Sequence, residues 1–140
     1  MKKIKKVFLG GTCNNSEWRD YLIDMLEINY FNPVVEDWTP ANYERELKEK
    51  EECDFCLYTL TPKMTEFYSI AEAVDDSNKH PKKIIFCILD VDYEEKTGEE
   101  IEWSRFQKQS LDAISKMIIK NGGKVFYSLE ETADYLNEYK

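Results

Sequence analysis

Long apolar runs are missing from this 140-residue sequence. None approaches the roughly 18 residues that a membrane-crossing helix needs, so no membrane partner is expected. Positive charge is the minority, with 19 Lys and Arg against 28 Asp and Glu. The resulting net charge of −9 argues against contact with nucleic-acid polymers, which takes a cationic face. A single histidine, His80 beside Pro81, leaves no triad to assemble and reads as a surface turn. The basic start from Met1 to Lys6 is followed by only Val7-Phe8-Leu9 before two glycines. That stretch is too short for a secretory leader and lacks a small-residue cleavage pattern, so a cytoplasmic protein is expected. Cys53 and Cys56 form a CxxC spacing in name, but Cys56 falls inside an apolar, strand-like run with no second pair and no His nearby. Buried, reduced thiols are expected rather than zinc or a redox centre. Neither a metal nor an organic cofactor is anticipated. Low-complexity linkers and internal repeats are absent too, so residues 1–140 read as one domain, of a size that buries a proper core. Three Trp and nine Tyr make that core bulky.

What is present alternates strand and helix from end to end. Lys6-Val7-Phe8-Leu9 predicts a first strand, ended by Gly10-Gly11. Trp18, Tyr21, Leu22, Met25 and Leu26 stand at helical spacing within Ser16–Glu27, the stripe of an amphipathic helix. Asn32-Pro33-Val34-Val35 predicts a second strand, and Thr39-Pro40 opens a charged helix to Glu52, with Thr as N-cap and Pro at the first helical position. Asp54–Leu60 is nearly continuously apolar, the pattern of a strand buried on both faces. A helix over Phe67–Ser77 and a fourth strand over Lys83–Leu89 follow. The acidic segment Asp90–Glu102 reads as a solvated loop, without the alternating oxygens and glycine of an EF-hand. Ser104–Lys120 predicts a long helix stopped at Asn121-Gly122-Gly123, a left-handed cap. Val125–Tyr127 is a fifth strand, and Ser128-Leu129-Glu130-Glu131 a capping box for the last helix. Right-handed crossovers then give an α/β fold: a doubly wound, five-stranded parallel sheet with helices on both faces. Order 2-1-3-4-5 follows by analogy with flavodoxin and Rossmann-like folds. Ligands in such sheets sit beyond the carboxyl ends of the strands where the order reverses, here between strands one and three. The loops to read are Gly10–Ser16, Glu36–Tyr43 and Thr61–Ser69.

The first loop, Gly10-Gly11-Thr12-Cys13-Asn14-Asn15-Ser16, offers close backbone approach and a helix N-terminus suited to phosphate or sugar hydroxyls. It is neither a GxGxxG fingerprint nor a phosphate-binding loop with a terminal Gly-Lys-Ser/Thr. A plain glycine turn with an Asn14…Glu17 capping box is the competing reading. After the third strand, Glu66-Phe67-Tyr68-Ser69-Ile70-Ala71-Glu72 places two carboxylates around an aromatic and a hydroxyl. Such a pair divides the labour of glycoside chemistry, one as nucleophile and one assisting the leaving group. The alternative is a Ser69…Glu72 capping box. Trp38 and Trp103 could stack on a base or serve as packing.

Phe8-Leu9-Gly10-Gly11-Thr12, Trp18-Arg19, Phe31-Asn32-Pro33, Glu36-Asp37-Trp38 and Cys53-Asp54, in this order and spacing, resemble the nucleoside 2-deoxyribosyltransferase-like proteins. The resemblance spans about Val7 to Leu89. It implies that Glu72, in Glu72-Ala73-Val74 where relatives carry Glu-Leu/Ile-Gly, is the nucleophile at the sugar's anomeric carbon. It implies further that Glu66, six positions earlier, and Glu46, in Tyr43-Glu44-Arg45-Glu46-Leu47, orient and protonate the base. Val74 replaces the signature glycine, Glu66 replaces a shorter Asp, and the Tyr of some first loops is missing.

On this basis the expected function is cleavage of a nucleoside or nucleotide N-glycosidic bond, or deoxyribosyl transfer. Glu72, Glu66 and Glu46 are the catalytic candidates. Gly10, Gly11, Thr12, Asn14, Ser16, Asp37, Trp38, Tyr68 and Ser69 are the candidates for holding the small-molecule substrate. A homodimer is expected, because some relatives complete the site from a neighbouring subunit. The rival expectation is a catalytically inactive nucleotide-binding module using the same crevice, and a third is a scaffold whose crevice is vestigial.

Overall fold

A computed structural model describes residues 3–140; Met1 and Lys2 of the basic start lie outside the described residues. In chain order the elements are β1 (Lys6–Gly11), α1 (Trp18–Met25), β2 (Asn29–Phe31), α2 (Pro40–Glu52), β3 (Phe55–Leu60) and α3 (Tyr68–Lys79). There follow β4 (Ile84–Ile88), β5 (Val91–Tyr93), β6 (Glu100–Glu102), α4 (Arg105–Asn121), β7 (Lys124–Phe126) and α5 (Leu129–Asn137). The main sheet is parallel, in the order β2-β1-β3-β4-β7. This is the expected doubly wound arrangement, with the order reversing at β1.

Period-two alternation sorts the strand side chains into two cores. Val7, Leu9, Phe55, Leu57, Ile85 and Cys87 face α1 and α5, meeting Trp18, Leu22, Ala133 and Leu136. Phe8, Cys56, Tyr58, Leu60, Ile84, Phe86 and Ile88 face the other way, against Ala73, Leu111 and Ile118 of α3 and α4. All six residues of β3 are buried, as its unbroken apolarity requires of a central parallel strand. Truncating one of these, such as Leu57→Ala, carries a cost of about 2–5 kcal/mol. Helix α2 is different. It buries no residue and is held by polar ties, among them Lys6 Nζ to Glu49 at 2.6 Å and Lys83 Nζ to the Glu51 carbonyl at 3.0 Å.

Gly11 shows why the first strand ends as it does. Its φ is +117°, and a Cβ there would stand 2.1 Å from the Thr59 carbonyl oxygen. Only glycine lets β1 run this close beside β3 at the mouth of the crevice.

Several local expectations are corrected. The second strand is Asn29–Phe31, with Asn32–Val35 irregular. Pro33 cannot donate to a ladder, and the bond from Val34 N goes to the Asn32 side chain instead. The acidic segment is not a plain loop: β5 and β6 pair as an antiparallel hairpin. Neither capping box of the functional loops forms. Asn14 has φ +45° and lies in a turn, and α1 and α3 begin after Glu17 and Phe67 without side-chain caps. By contrast Thr39 caps α2, Ser104 caps α4 and Ser128 caps α5, and Gly122 closes α4 in the left-handed region at φ +104°.

Candidate active site

The site is built where α2 faces α3. On α2, Glu46 and Lys50 are one turn apart; on α3, so are Glu72 and Asp76. Residues at this spacing share a helix face, so the two faces bring four charged groups together. Lys50 Nζ lies 2.8 Å from Glu72 Oε2 and 3.2 Å from Asp76 Oδ2. The Tyr58 hydroxyl, from the sheet beneath, donates to that same Asp76 oxygen at 2.7 Å. Glu46 is half-buried beside them.

The electrostatics separate the two glutamates. Burial and then the neighbouring charge of Glu72 raise the Glu46 carboxyl above its ordinary value, against the opposing pull of Lys50 and Arg19. Burial alone would lower Lys50, but its hydrogen bond to Glu72 and the charges of Glu72 and Asp76 outweigh that and raise it. Burial, and then its bond to Asp76, likewise raise Tyr58, so the phenol stays a donor. Glu46 is thus biased toward a proton, while Glu72 is paired with the Lys50 ammonium. That is the division a glycosidic acid and nucleophile need.

The first loop is closely tied down. Thr12 is buried, and its hydroxyl oxygen accepts the Thr61 N–H at 3.0 Å. The Thr12 carbonyl accepts from Trp18 Nε1 at 2.8 Å and Arg19 Nη1 at 2.7 Å. Arg19 is itself buried and also bonds the carbonyls of Leu9 and Gly11. Asn14 donates to the Lys63 carbonyl and to Thr65 Oγ1, and Ser16 to Asp92 Oδ2 at 2.6 Å. Of the substrate-holding candidates, Thr12, Asn14 and Ser16 therefore have their side chains engaged within the protein. Gly10 and Gly11 line the β1–β3 seam. Trp38 is 68% exposed, tilted against Tyr43 with ring centroids 5.6 Å apart, and the Asp37 carbonyl accepts from Asn42. Tyr68 is 72% exposed at the first position of α3, Ser69 beside it is half-buried, and Glu66 is exposed in the loop before it. The structure unites Glu46 with Glu72 and leaves Glu66 apart, in solvent. Lys50, Asp76 and Tyr58 complete the cluster without a signal read from the sequence, although the i, i+4 spacing of Glu46 to Lys50 and Glu72 to Asp76 marks the first two; Arg19, named in the Trp18-Arg19 motif, adds its charge beside Glu46.

A family model described as nucleoside 2-deoxyribosyltransferase like matches residues 4–91, well over half of the chain. The chain belongs to that family. Neither a curated protein nor a solved structure matches it. In this nucleoside 2-deoxyribosyltransferase-like chain a cavity of about 900 Å³ is walled by α1, the β5–β6 hairpin and the start of α5. Glu46, Glu66 and Glu72 do not line it, and its wall at Tyr127–Glu130 lies outside the matched stretch. A smaller cavity of about 270 Å³ touches Lys50, Asp76, Cys56 and His80. Volume and chemistry thus point to different places, and the charged cluster lies wholly inside the matched stretch.

Among the described residues no group of His, Cys, Asp and Glu is arranged to hold a metal ion. All four cysteines are free. Burial pushes Cys53 up to about 11 and Cys56 to about 12, which makes both inert thiols rather than a redox pair. Cys13 departs from the expectation of burial and is exposed, because the Cys13–Asn15 turn projects from the end of β1. Among the described residues no helix is long and apolar enough to cross a membrane.

Proposed function

We propose that this protein breaks the N-glycosidic bond of a nucleoside or nucleotide, by hydrolysis or by transfer of the deoxyribosyl group, with Glu72 as nucleophile. The observation that carries the reading is the pairing of Glu72, bound to the Lys50 ammonium, with a half-buried neighbour, Glu46, whose carboxyl is raised above its ordinary value by burial and by the charge of Glu72. Glu72 attacks the anomeric carbon while Glu46 delivers its proton to the departing base. Glu66 and the exposed rings of Trp38 and Tyr68 are assigned to the base, and Ser69 and the glycine edge of β1 to the sugar. A homodimer and a cytoplasmic location accompany this reading. The test is release of free base from a panel of 2′-deoxynucleosides and their monophosphates, compared between the parent protein and Glu72→Gln.

A second reading, binding without turnover, is favoured by one observation: the Glu72 oxygen facing Lys50 is already occupied by an ion pair. A module of that kind gives a ligand-dependent rise in melting temperature and no base, a ligand at a hundred times its dissociation constant adding about 2.7 kcal/mol.

A further inference from the structure

We propose that Lys50 is a positioning residue that clamps Glu72 and drives the sugar off it in the second half of the reaction, an inference that rests on the glycosidic reading above. Lys50 Nζ touches only one oxygen of the carboxylate, Oε2, at 2.8 Å. Oε1 takes no part in the pair and is the oxygen left to attack. Lys50 is held from the other side by Asp76 Oδ2 at 3.2 Å, which the Tyr58 hydroxyl fixes at 2.7 Å. Tyr58 is fully buried in β3, so the chain Tyr58–Asp76–Lys50–Glu72 anchors the nucleophile to the sheet. Because α2 has no buried side chain, Lys50 is held in place by these polar ties.

The clamp acts unequally on the two half-reactions. In the first, Glu72 Oε1 forms a bond to the anomeric carbon and the carbon–nitrogen bond breaks. Its electron pair goes to the base nitrogen, which takes the Glu46 proton. Glu72 becomes a neutral ester and Lys50 keeps only Asp76, so the cation opposes this step. In the second, a water oxygen bonds to the anomeric carbon and the ester carbon–oxygen bond breaks. Its electron pair returns to Glu72, and the water proton passes to the Glu46 carboxylate. Negative charge now develops 2.8 Å from a fixed ammonium, where a preorganised charge lowers the barrier most. Lys50 therefore keeps the covalent glycosyl-enzyme from accumulating.

The experiment uses the full chain as parent, Lys50→Met and Lys50→Arg, with the deoxynucleoside and monophosphate panel as probes. Rapid-quench assays read base release, and intact-mass spectrometry reads the adduct. Lys50→Met is expected to keep an initial burst of base, to lose roughly 100-fold in steady-state turnover, and to carry one sugar per chain at steady state. Lys50→Arg restores turnover and clears the adduct. A Lys50→Met protein that turns over like the parent without an adduct overturns the clamp alone. So does loss of burst and turnover together in both variants with lowered melting temperatures, which marks a merely structural lysine. A parent that releases no base from any probe overturns the glycosidic reading, and the clamp with it.

Discussion

The Thr12 hydroxyl oxygen accepts the backbone N–H of Thr61 at 3.0 Å, both residues being buried. This bond joins the loop after β1 to the end of β3 at the point where the strand order reverses. Replacing the hydroxyl by a methyl group of the same shape leaves a buried N–H with no acceptor, which costs about 1–3 kcal/mol. Thr12→Val should therefore lower unfolding free energy by that amount in urea titrations, with Thr12→Ser close to the parent. If Thr12→Val is as stable as the parent and only KM rises, the hydroxyl serves the ligand instead.

Glu72→Gln should abolish base release and leave the melting temperature nearly unchanged. Lys50 retains Asp76 as a partner, so no cation is stranded. Because α3 begins after Phe67 with no side-chain cap, loss of Glu72 removes no capping bond, and Glu72→Ala should cost less than about 1 kcal/mol. Turnover by Glu72→Gln at the parent's rate would remove Glu72 from the mechanism.

Much of this was legible in the sequence, and the failures have identifiable causes. The strands whose side chains are buried on both faces, β3 and β4, announce themselves by composition, and the Thr39 and Ser128 caps by local chemistry. The edge strand β2 is three residues long and mostly exposed, so no apolar pattern marks it, and the more apolar Pro33-Val34-Val35 draws the assignment away. The Asn14 box is overridden by its side-chain bonds to Lys63 and Thr65, and the Ser69 box fails because Ser69 already lies inside α3, which starts at Tyr68. Glu72 is marked both by the acidic stretch Glu66–Glu72 and by the family resemblance, Glu46 by the resemblance alone. Lys50 carries no signal of its own in a helix dense with charge, because which of its charges face inward depends on how α2 lies against α3.

The raised Glu46 carboxyl fixes the sign of a pH effect. Its ordinary value is 4.5, and in the fold it is higher, so the folded state binds this proton more tightly than the unfolded chain. Its contribution to stability is fully present below about 4.5 and is lost as pH climbs through the raised value. Relative to the parent, Glu46→Gln should therefore gain stability in going from below pH 4.5 to neutral pH, as read by melts across that range. As general acid, Glu46 should also give the parent's turnover a basic limb over the same interval. Glu46→Gln should lose that limb together with roughly 100-fold in rate. A basic limb that survives in Glu46→Gln assigns the proton to another group.

Val74, two residues past the proposed nucleophile Glu72, stands where the family resemblance implies a signature glycine. If its side chain lay over the crevice it would crowd the sugar, since a β-branched residue in a helix has nearly one rotamer and cannot turn aside. It does not lie there: Val74 is partly buried against the core that holds Phe86, Ala73 and Ile118. Positions 72 and 74 are some 200° apart around a helix, so with Glu72 turned toward α2, Val74 turns toward the sheet and α4. Val74→Gly then loses apolar burial and gains backbone freedom in a helix interior. The two losses together come to about 2–3 kcal/mol, with no new room for a ligand. Chemical denaturation should show that loss, and base release per folded molecule should stay at the parent's level. A Val74→Gly protein that is less stable yet several-fold more active would mean that the valine restricts the site after all. In that case relatives carry glycine for access and not for helix packing.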